Sequence, residues 1–258
     1  MRQAIQELIE YREFLKQFVL QTLRSRYRSS VLGFFWTLLN PLLTCLVLSI
    51  VFSYINKADL RTFGTYFFSG YMPWTFFLAA TATGTGCIVA NGPYVTRIYL
   101  PKAIFPIWAA LVGVVDLLAA IFIVFGLMFL TEAPFTPALV ILPVSLFLLI
   151  MFSMGLCFLF GALNVFVRDF QYLWGTVTFI WFFFSPILYP LTNIPAGPRA
   201  YFALNPMVPF LQLFQDPISK GLFPPATAFA QASVYTVVSL VVGTVFFIRS
   251  QRSFYLYV

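Results

Sequence analysis

Six long apolar runs, separated by short polar breaks, constrain this sequence more than any other feature. They cover residues 34–55, 66–90, 104–130, 137–163, 172–189 and 227–248. A helix needs roughly 20 apolar residues to cross a bilayer, so these runs are read as spans. Composition agrees: only 9% of the 258 residues are charged and 61% are hydrophobic, whereas soluble domains average about 25% charged residues. Such a chain cannot cover a water-facing surface. The expected fold is an all-α integral membrane protein with six transmembrane helices, leaving no room for a second soluble domain.

The N-terminal segment has a different pattern. Gln6, Glu10, Glu13, Gln17, Gln21 and Arg24 recur at steps of three and four, opposite a broad apolar face that includes Leu8, Phe14, Leu15, Phe18 and Val19. This predicts an amphipathic helix over residues 3–24, lying in the membrane interface. A soluble helix packed on a partner is the alternative. Glu7, Glu10 and Glu13, with no compact apolar centre, do not read as a cleavable signal. The chain thus divides into an interface helix (1–30) and a six-span domain (31–258).

Basic residues set the orientation. With the N-terminus inside, the cytoplasmic side holds Arg2, Arg12, Lys16, Arg24, Arg26, Arg28, Arg97, Lys102, Arg168, Arg249 and Arg252, and the outside only Lys57, Arg61, Arg199 and Lys220. An even number of spans then puts both termini in the cytoplasm.

The connection between the last two runs is unusual. Nine of the 17 prolines fall between Pro186 and Pro225, in a stretch rich in Phe and Leu. It is too often broken to cross as one helix. Short re-entrant helices, dipping into the outer leaflet over about 190–226, fit it better than an ordinary polar loop.

Several chemistries lack their residues. There is no phosphate-binding G-x-x-x-x-G-K-[ST] loop and no histidine, and Cys45, Cys87 and Cys157 lie singly inside apolar runs as small hydrophobes. The "GTG" of "ATATGTGCIVANG" has no nucleotide-binding spacing and reads as a close-packing face of the second span. Nothing points to a metal, a covalent reaction or nucleic acid. If the protein's work needs ATP, another polypeptide must hydrolyse it.

"RSRYRSSVLGFFWTLLNPLL" is the most informative short stretch. Arg24, Arg26 and Arg28 precede the first span, where cations face anionic head groups. Gly33 can swivel the chain from an in-plane helix into a crossing one. Pro41 removes the amide that would bond the carbonyl of Thr37, and Asn40 puts a polar group at membrane depth. Such groups are tolerated facing protein or water, so the first span is expected to face an interior path whose cytoplasmic mouth is ringed by cations.

This stretch resembles the "LG…W…LNPLL" signature of ABC-2 type permeases that export cell-surface polysaccharides such as O-antigen, capsule and wall teichoic acid. The resemblance covers essentially the whole chain, with "YLPKAIFPI" after the second span and "VRDFQYLW" after the fourth. It implies a bacterial inner-membrane permease that works as a homodimer with two ATPase subunits. ATP and Mg would be bound by the partner and no cofactor by this chain; the cargo would be a glycan on an undecaprenyl-diphosphate or related lipid. Arg24, Arg26 and Arg28 then become candidates for docking the lipid diphosphate, and Gly33, Trp36, Asn40 and Pro41 for a gate. The 91–107 loop corresponds to the coupling segment, with Tyr94, Arg97, Tyr99, Lys102 and Phe105 as force-transfer candidates.

Three readings stay open. Arg168 and Asp169 form either a local ion pair capping the fifth span or a second contact to the ATPase. Asp116, the one carboxylate deep in a span, serves either a structural hydrogen bond to a neighbouring span or transport itself. Aromatic residues form 20% of the chain, and sugar rings pack on aromatic planes; Phe35, Trp36, Trp74, Trp181 and Tyr189 are candidates to line a channel. An exporter of a lipid or drug-like molecule is the alternative within the same class. A non-transporting scaffold would want larger soluble loops, and a glycosyltransferase more acidic residues to hold a metal-bound donor.

Overall fold

The computed structural model describes residues 10–28, 33, 35–57, 59–97, 99–202 and 204–257. The start of the expected interface helix, residues 3–9, and Leu32 of the signature lie outside them. Every regular element among the described residues is helical. Helix α1 (Arg12–Tyr27) carries Arg24 and Arg26 in its last turn, where cations complement the helix dipole. Gly33 follows with φ +47, a left-handed backbone that favours glycine, and turns the chain into α2 (Phe35–Asn56).

Next come α3 (Leu60–Ala90), a short α4 (Gly92–Arg97), α5 (Ile104–Leu130) and α6 (Leu142–Phe166), the last led in by a 3₁₀ turn at Pro137–Ile141. Helix α3 starts six residues before the apolar run does. Asp59 caps it, its carboxylate accepting from the amides of Arg61 and Thr62 at 3.1 Å each. Helices α7 (Phe170–Phe183), α8 (Ala196–Phe202), α9 (Met207–Gln215) and α10 (Ala226–Ser250) complete the chain, with a 3₁₀ turn at Gln251–Leu256.

Among the described residues, five segments are long and apolar enough to cross a membrane: Phe35–Ile55, Leu60–Ala90, Ile104–Leu130, Pro137–Phe166 and Ala226–Leu256. The run over 172–189, expected as a span, is not one continuous helix. Helix α7 has 14 residues, about 21 Å at 1.5 Å per residue, short of the roughly 30 Å hydrocarbon core. Pro186 has no amide to donate and pushes Ser185 away from helical dihedrals. The carbonyls exposed by the break are caught by side chains. Asn205 Nδ2 donates to the Phe184 carbonyl at 2.8 Å, Gln215 Nε2 to Pro186 at 2.8 Å, and the Tyr66 hydroxyl lies 2.9 and 3.1 Å from the Pro186 and Tyr189 carbonyls.

The proline-rich connection folds back into the bundle. Helix α9 is buried along its length, against α3, α6 and α10. Its buried polar side chain, Gln215, fits because Gly70 leaves room: a Cβ there would sit 2.5 Å from Gln215 Nε2. A π-turn at Asp216–Lys220 ends in Gly221 with φ +66, whose carbonyl accepts from Thr136 Oγ1 at 2.9 Å.

Helices α3, α6 and α10 pack at backbone distance. A Cβ on Gly84 would meet Cys157 Sγ at 2.5 Å, one on Gly161 the Gly84 carbonyl at 2.9 Å, and one on Gly243 the Gly155 carbonyl at 2.0 Å. Small residues allow this approach, and interhelical hydrogen bonds reinforce it. Thr236 Oγ1 donates to the Leu148 carbonyl at 3.1 Å and Ser239 Oγ to Phe152 at 3.2 Å. The close-packing reading of "GTG" holds at Gly84, and all three cysteines are buried and free.

The two ends of the bundle are distinct. At one, the Tyr11 hydroxyl donates to the Tyr99 carbonyl (3.3 Å), Lys102 Nζ to Gln251 (2.7 Å) and Arg168 to Tyr257 (3.0 Å), gathering α1, the 91–103 loop, the α6–α7 turn and the C-terminal segment. At the other, the hydroxyls of Thr65 and Thr131 are 2.8 Å apart, near the start of α3 and the end of α5.

Candidate functional site

Where α1 meets α2, α3 and α5, the helices enclose a cavity of ≈ 460 Å³. Each spanning helix gives it one face at helical spacing: Thr37, Asn40, Pro41 and Thr44 from α2; Tyr71, Thr75 and Ala79 from α3; Gly113, Asp116 and Ala120 from α5. Trp36 stands at its edge, 45% exposed. This cavity lies beside Asn40 and Pro41, where an interior path was expected. Three of the gate candidates, Trp36, Asn40 and Pro41, line it, while Gly33 makes the turn leading to it.

Asp116 and Arg26 are the charged groups of this cavity. Arg26 Nη1 donates to Asp116 Oδ2 at 2.8 Å, so the carboxylate in the span is neutralised by the interface helix and not by a neighbouring span. The pair is partly solvated, with side chains 40% and 31% exposed. The second oxygen, Oδ1, is buried and has no hydrogen-bond partner among the described residues. Arg24 and Arg28 are exposed. Arg26 is exposed as well, but of the three it is the one that lines the cavity.

The loop end is divided too. Tyr94, Arg97 and Tyr99 are exposed. Phe105 is fully buried, edge-on to Phe18 of α1 with centroids 6.4 Å apart, so it supports the loop from behind. Lys102 is half-buried, bonded to the Gln251 carbonyl and 5.6 Å from the Phe254 ring centroid; burial lowers its pKa. The Arg168–Asp169 ion pair does not form. Arg168 turns instead to the Tyr257 carbonyl, and Asp169 occupies the N-cap of α7 without a side-chain capping bond.

Of the channel aromatics, Phe35 is 68% exposed and Trp74 only 2%. Trp74 lies inside the bundle, edge-on to Trp181 at 6.0 Å, and Trp181 in turn donates to Asn205 Oδ1 at 2.7 Å. Both hold the broken segment after α7 against α3. The half-buried Tyr189 donates its hydroxyl to the Phe183 carbonyl. These three therefore brace the fold within the chain. Sequence reasoning missed Thr44, Tyr71 and Thr75, although Tyr71-Thr75-Ala79 at steps of four is a legible helix face. It also missed the C-terminal partners of Lys102 and Arg168.

A cavity beside a proline-bearing first span suits a transporter. The family model described as ABC-2 type transporter matches residues 13–218. The chain belongs to the ABC-2 type transporter family. Among curated proteins, this ABC-2 chain is 29% identical over 244 residues to the O-antigen export system permease protein RfbA of Myxococcus xanthus, 93% of each chain being covered. It is 24% identical over 202 residues to a protein of that name from Klebsiella pneumoniae, covering 77% of each. It is also 24% identical over 229 residues to the polysialic acid transport protein KpsM of Escherichia coli, covering 87% of this chain and 88% of that one.

Proposed function

We propose that this chain is the membrane permease subunit of an ATP-driven exporter that moves lipid-linked polysaccharide out of the cytoplasm. The observation that carries this reading is near end-to-end similarity to an O-antigen export permease, over 93% of both chains. In this reading two copies work with two ATPase subunits, which bind the ATP and Mg, in a bacterial inner membrane. In this reading the chain crosses the membrane six times; the contacts of α1 and of the C-terminal segment with the 91–103 loop support an even number of crossings. The stretch from Phe170 to Tyr189 supplies the sixth, as a short helix plus its side-chain-capped continuation, and α8 and α9 are the re-entrant helices of the outer leaflet. The basic loop end faces the cytoplasm.

The geometry distributes the work. Arg24 and Arg28 remain exposed to meet a lipid diphosphate by charge-assisted hydrogen bonds, while Arg26 holds Asp116. Tyr94, Arg97 and Tyr99 present the ATPase-facing surface. Force applied there reaches α1 directly: Phe18 lies edge-on to Tyr94 (6.0 Å) and stacks on Trp108 (4.8 Å), and Tyr11 bonds Tyr99. Helix α1 is then a connecting rod. Its middle touches the driven loop and its last turn grips the cavity through Arg26. Deleting the partner ATPase should leave glycan accumulating inside the cell; continued export without it overturns this reading.

A further inference from the structure

The 91–103 loop is held by different partners along its length. At Tyr94 and Tyr99 it is exposed and meets α1. At Lys102 it meets the 3₁₀ turn Gln251–Leu256, which continues α10. Lys102 Nζ donates to the Gln251 carbonyl at 2.7 Å and lies 5.6 Å from the Phe254 ring centroid. The same turn packs on α4. Just beyond it, the Tyr257 carbonyl accepts from Arg168 of the α6–α7 turn at 3.0 Å. One short segment thus ties two separate loops together.

Phe254 anchors that segment. A 3₁₀ run of six residues is long for a helix whose hydrogen bonds are poorly aligned, so packing has to hold it. The ring of Phe254 is fully buried. It stands edge-on to Phe247 of α10 and Phe166 of α6, with centroids 5.4 and 6.2 Å apart. These contacts belong to a second apolar core, apart from the main one, which Ile88, Val95, Phe105 and Val165 complete from α3, α4, α5 and α6. Helix α10 is in turn pressed backbone to backbone on α6 at Gly155 and Gly243. The loop is therefore referred at Lys102 to the tightest seam of the bundle, and at Tyr94 and Tyr99 to α1 and the cavity side. A lever needs a fixed point as well as a driven one.

We propose that the turn centred on Phe254 is the fulcrum of the 91–103 loop. Phe254 and Lys102 are positioning residues that hold one end of the loop against the α6–α10 seam, so that a push from the ATPase displaces α1 and is not absorbed by the loop. The proposal rests on the permease reading above and deepens it. With the fixed end released, ATP hydrolysis runs on while less of it moves cargo.

The test uses the full chain with its ATPase partner. Surface glycan made by cells, per complex in their membranes, gives export; ATP hydrolysis by the same complex in nanodiscs gives turnover. Phe254→Ala should lower the ratio of export to hydrolysis about fivefold, the middle of what mutations along a coupled contact network produce, with hydrolysis largely retained. Phe254→Leu, which keeps the core filled, should recover most of the ratio. Lys102→Met, which keeps the stem but loses the donor, should lower it too. Adding Lys102→Met to Phe254→Ala should do little further harm, because one shared contact is already broken. Amide exchange of the 91–103 loop should quicken in Phe254→Ala, and that of α9 should not. If Phe254→Ala does not assemble with the ATPase, Lys102→Met carries the test on the same ratio and the same exchange. Export and hydrolysis falling together, an unchanged ratio, unchanged loop exchange, or effects of the two substitutions that multiply overturns the fulcrum. ATPase-dependent export by the wild type with any of those results removes the fulcrum alone. ATPase-independent export removes the permease reading, while the exchange of the loop still reports whether Phe254 positions it.

Discussion

Two sides of this bundle are built on opposite principles. Where α6 meets α3 and α10, glycines let backbones touch, and Ser and Thr hydroxyls stitch one helix to the next. Where α2 meets α3 and α5, the same chain leaves a cavity, a proline inside a helix and a charged pair. The contrast shows in burial. Only 17% of the first-span window lies inside the bundle, against 61% for the second. A transporter needs both: a side that keeps its shape under load, and a side whose helix can shift without breaking many contacts. The same division explains why Asp116 is on the loose side, where solvent and Arg26 can offset its charge.

The sharpest way to break this comparison is to wedge the tight seam. Gly243→Val places atoms where the Gly155 carbonyl lies 2.0 Å from the glycine's own Cβ position, so the two helices must separate. Overpacking of this kind is expected to cost about 3 kcal/mol or more, read as a large fall in the unfolding midpoint on size-exclusion chromatography of heated samples. Wild-type behaviour would mean that the seam is no tighter than the rest. A smaller effect should follow Gln215→Leu, which leaves the Pro186 carbonyl with Tyr66 as its remaining side-chain donor. A loss of about 1–3 kcal/mol should appear as faster proteolysis around Pro206, with α1 unaffected. The smallest effect is expected on the loose side. A double-mutant cycle of Arg26→Gln and Asp116→Asn should give a coupling of about 1 kcal/mol or less, because the pair is partly solvated. A coupling several times larger would make this side as rigid as the other.

Much of the architecture was legible in the sequence because it depends on local rules. Apolar length located α2, α3, α5, α6 and α10, and residue chemistry alone marked Gly33 as a turn and Gly84 as a contact. The fifth run misled because its apolar residues continue past Pro186, and hydropathy does not register that the backbone has lost an amide. What stayed hidden depends on distant pairings. Arg26 and Asp116 are 90 residues apart, and Lys102 and Gln251 149 apart; neither position alone indicates its partner. Positive-inside charge counting treated Arg26, Lys102 and Arg168 as surface cations; Arg26 and Arg168 are exposed, yet all three have a partner within the chain. Phe105 and Trp74 were legible as aromatic but not as buried, since in a chain so rich in aromatics the inward face has no distinctive composition.

The break after α7 has a consequence for how the protein is made. Five of the described segments are long and apolar enough to leave the translocon on their own merits, but a 14-residue helix followed by bare carbonyls is not. Tyr66, on a helix synthesised more than a hundred residues earlier, and Asn205 and Gln215, which emerge afterwards, must all be waiting at the right depth before that stretch can settle. The last part of the barrier to close during biogenesis is therefore the stretch from Phe170 to Gly221, and a chaperone or insertase that shelters it would meet this protein late, with most of its bundle already standing.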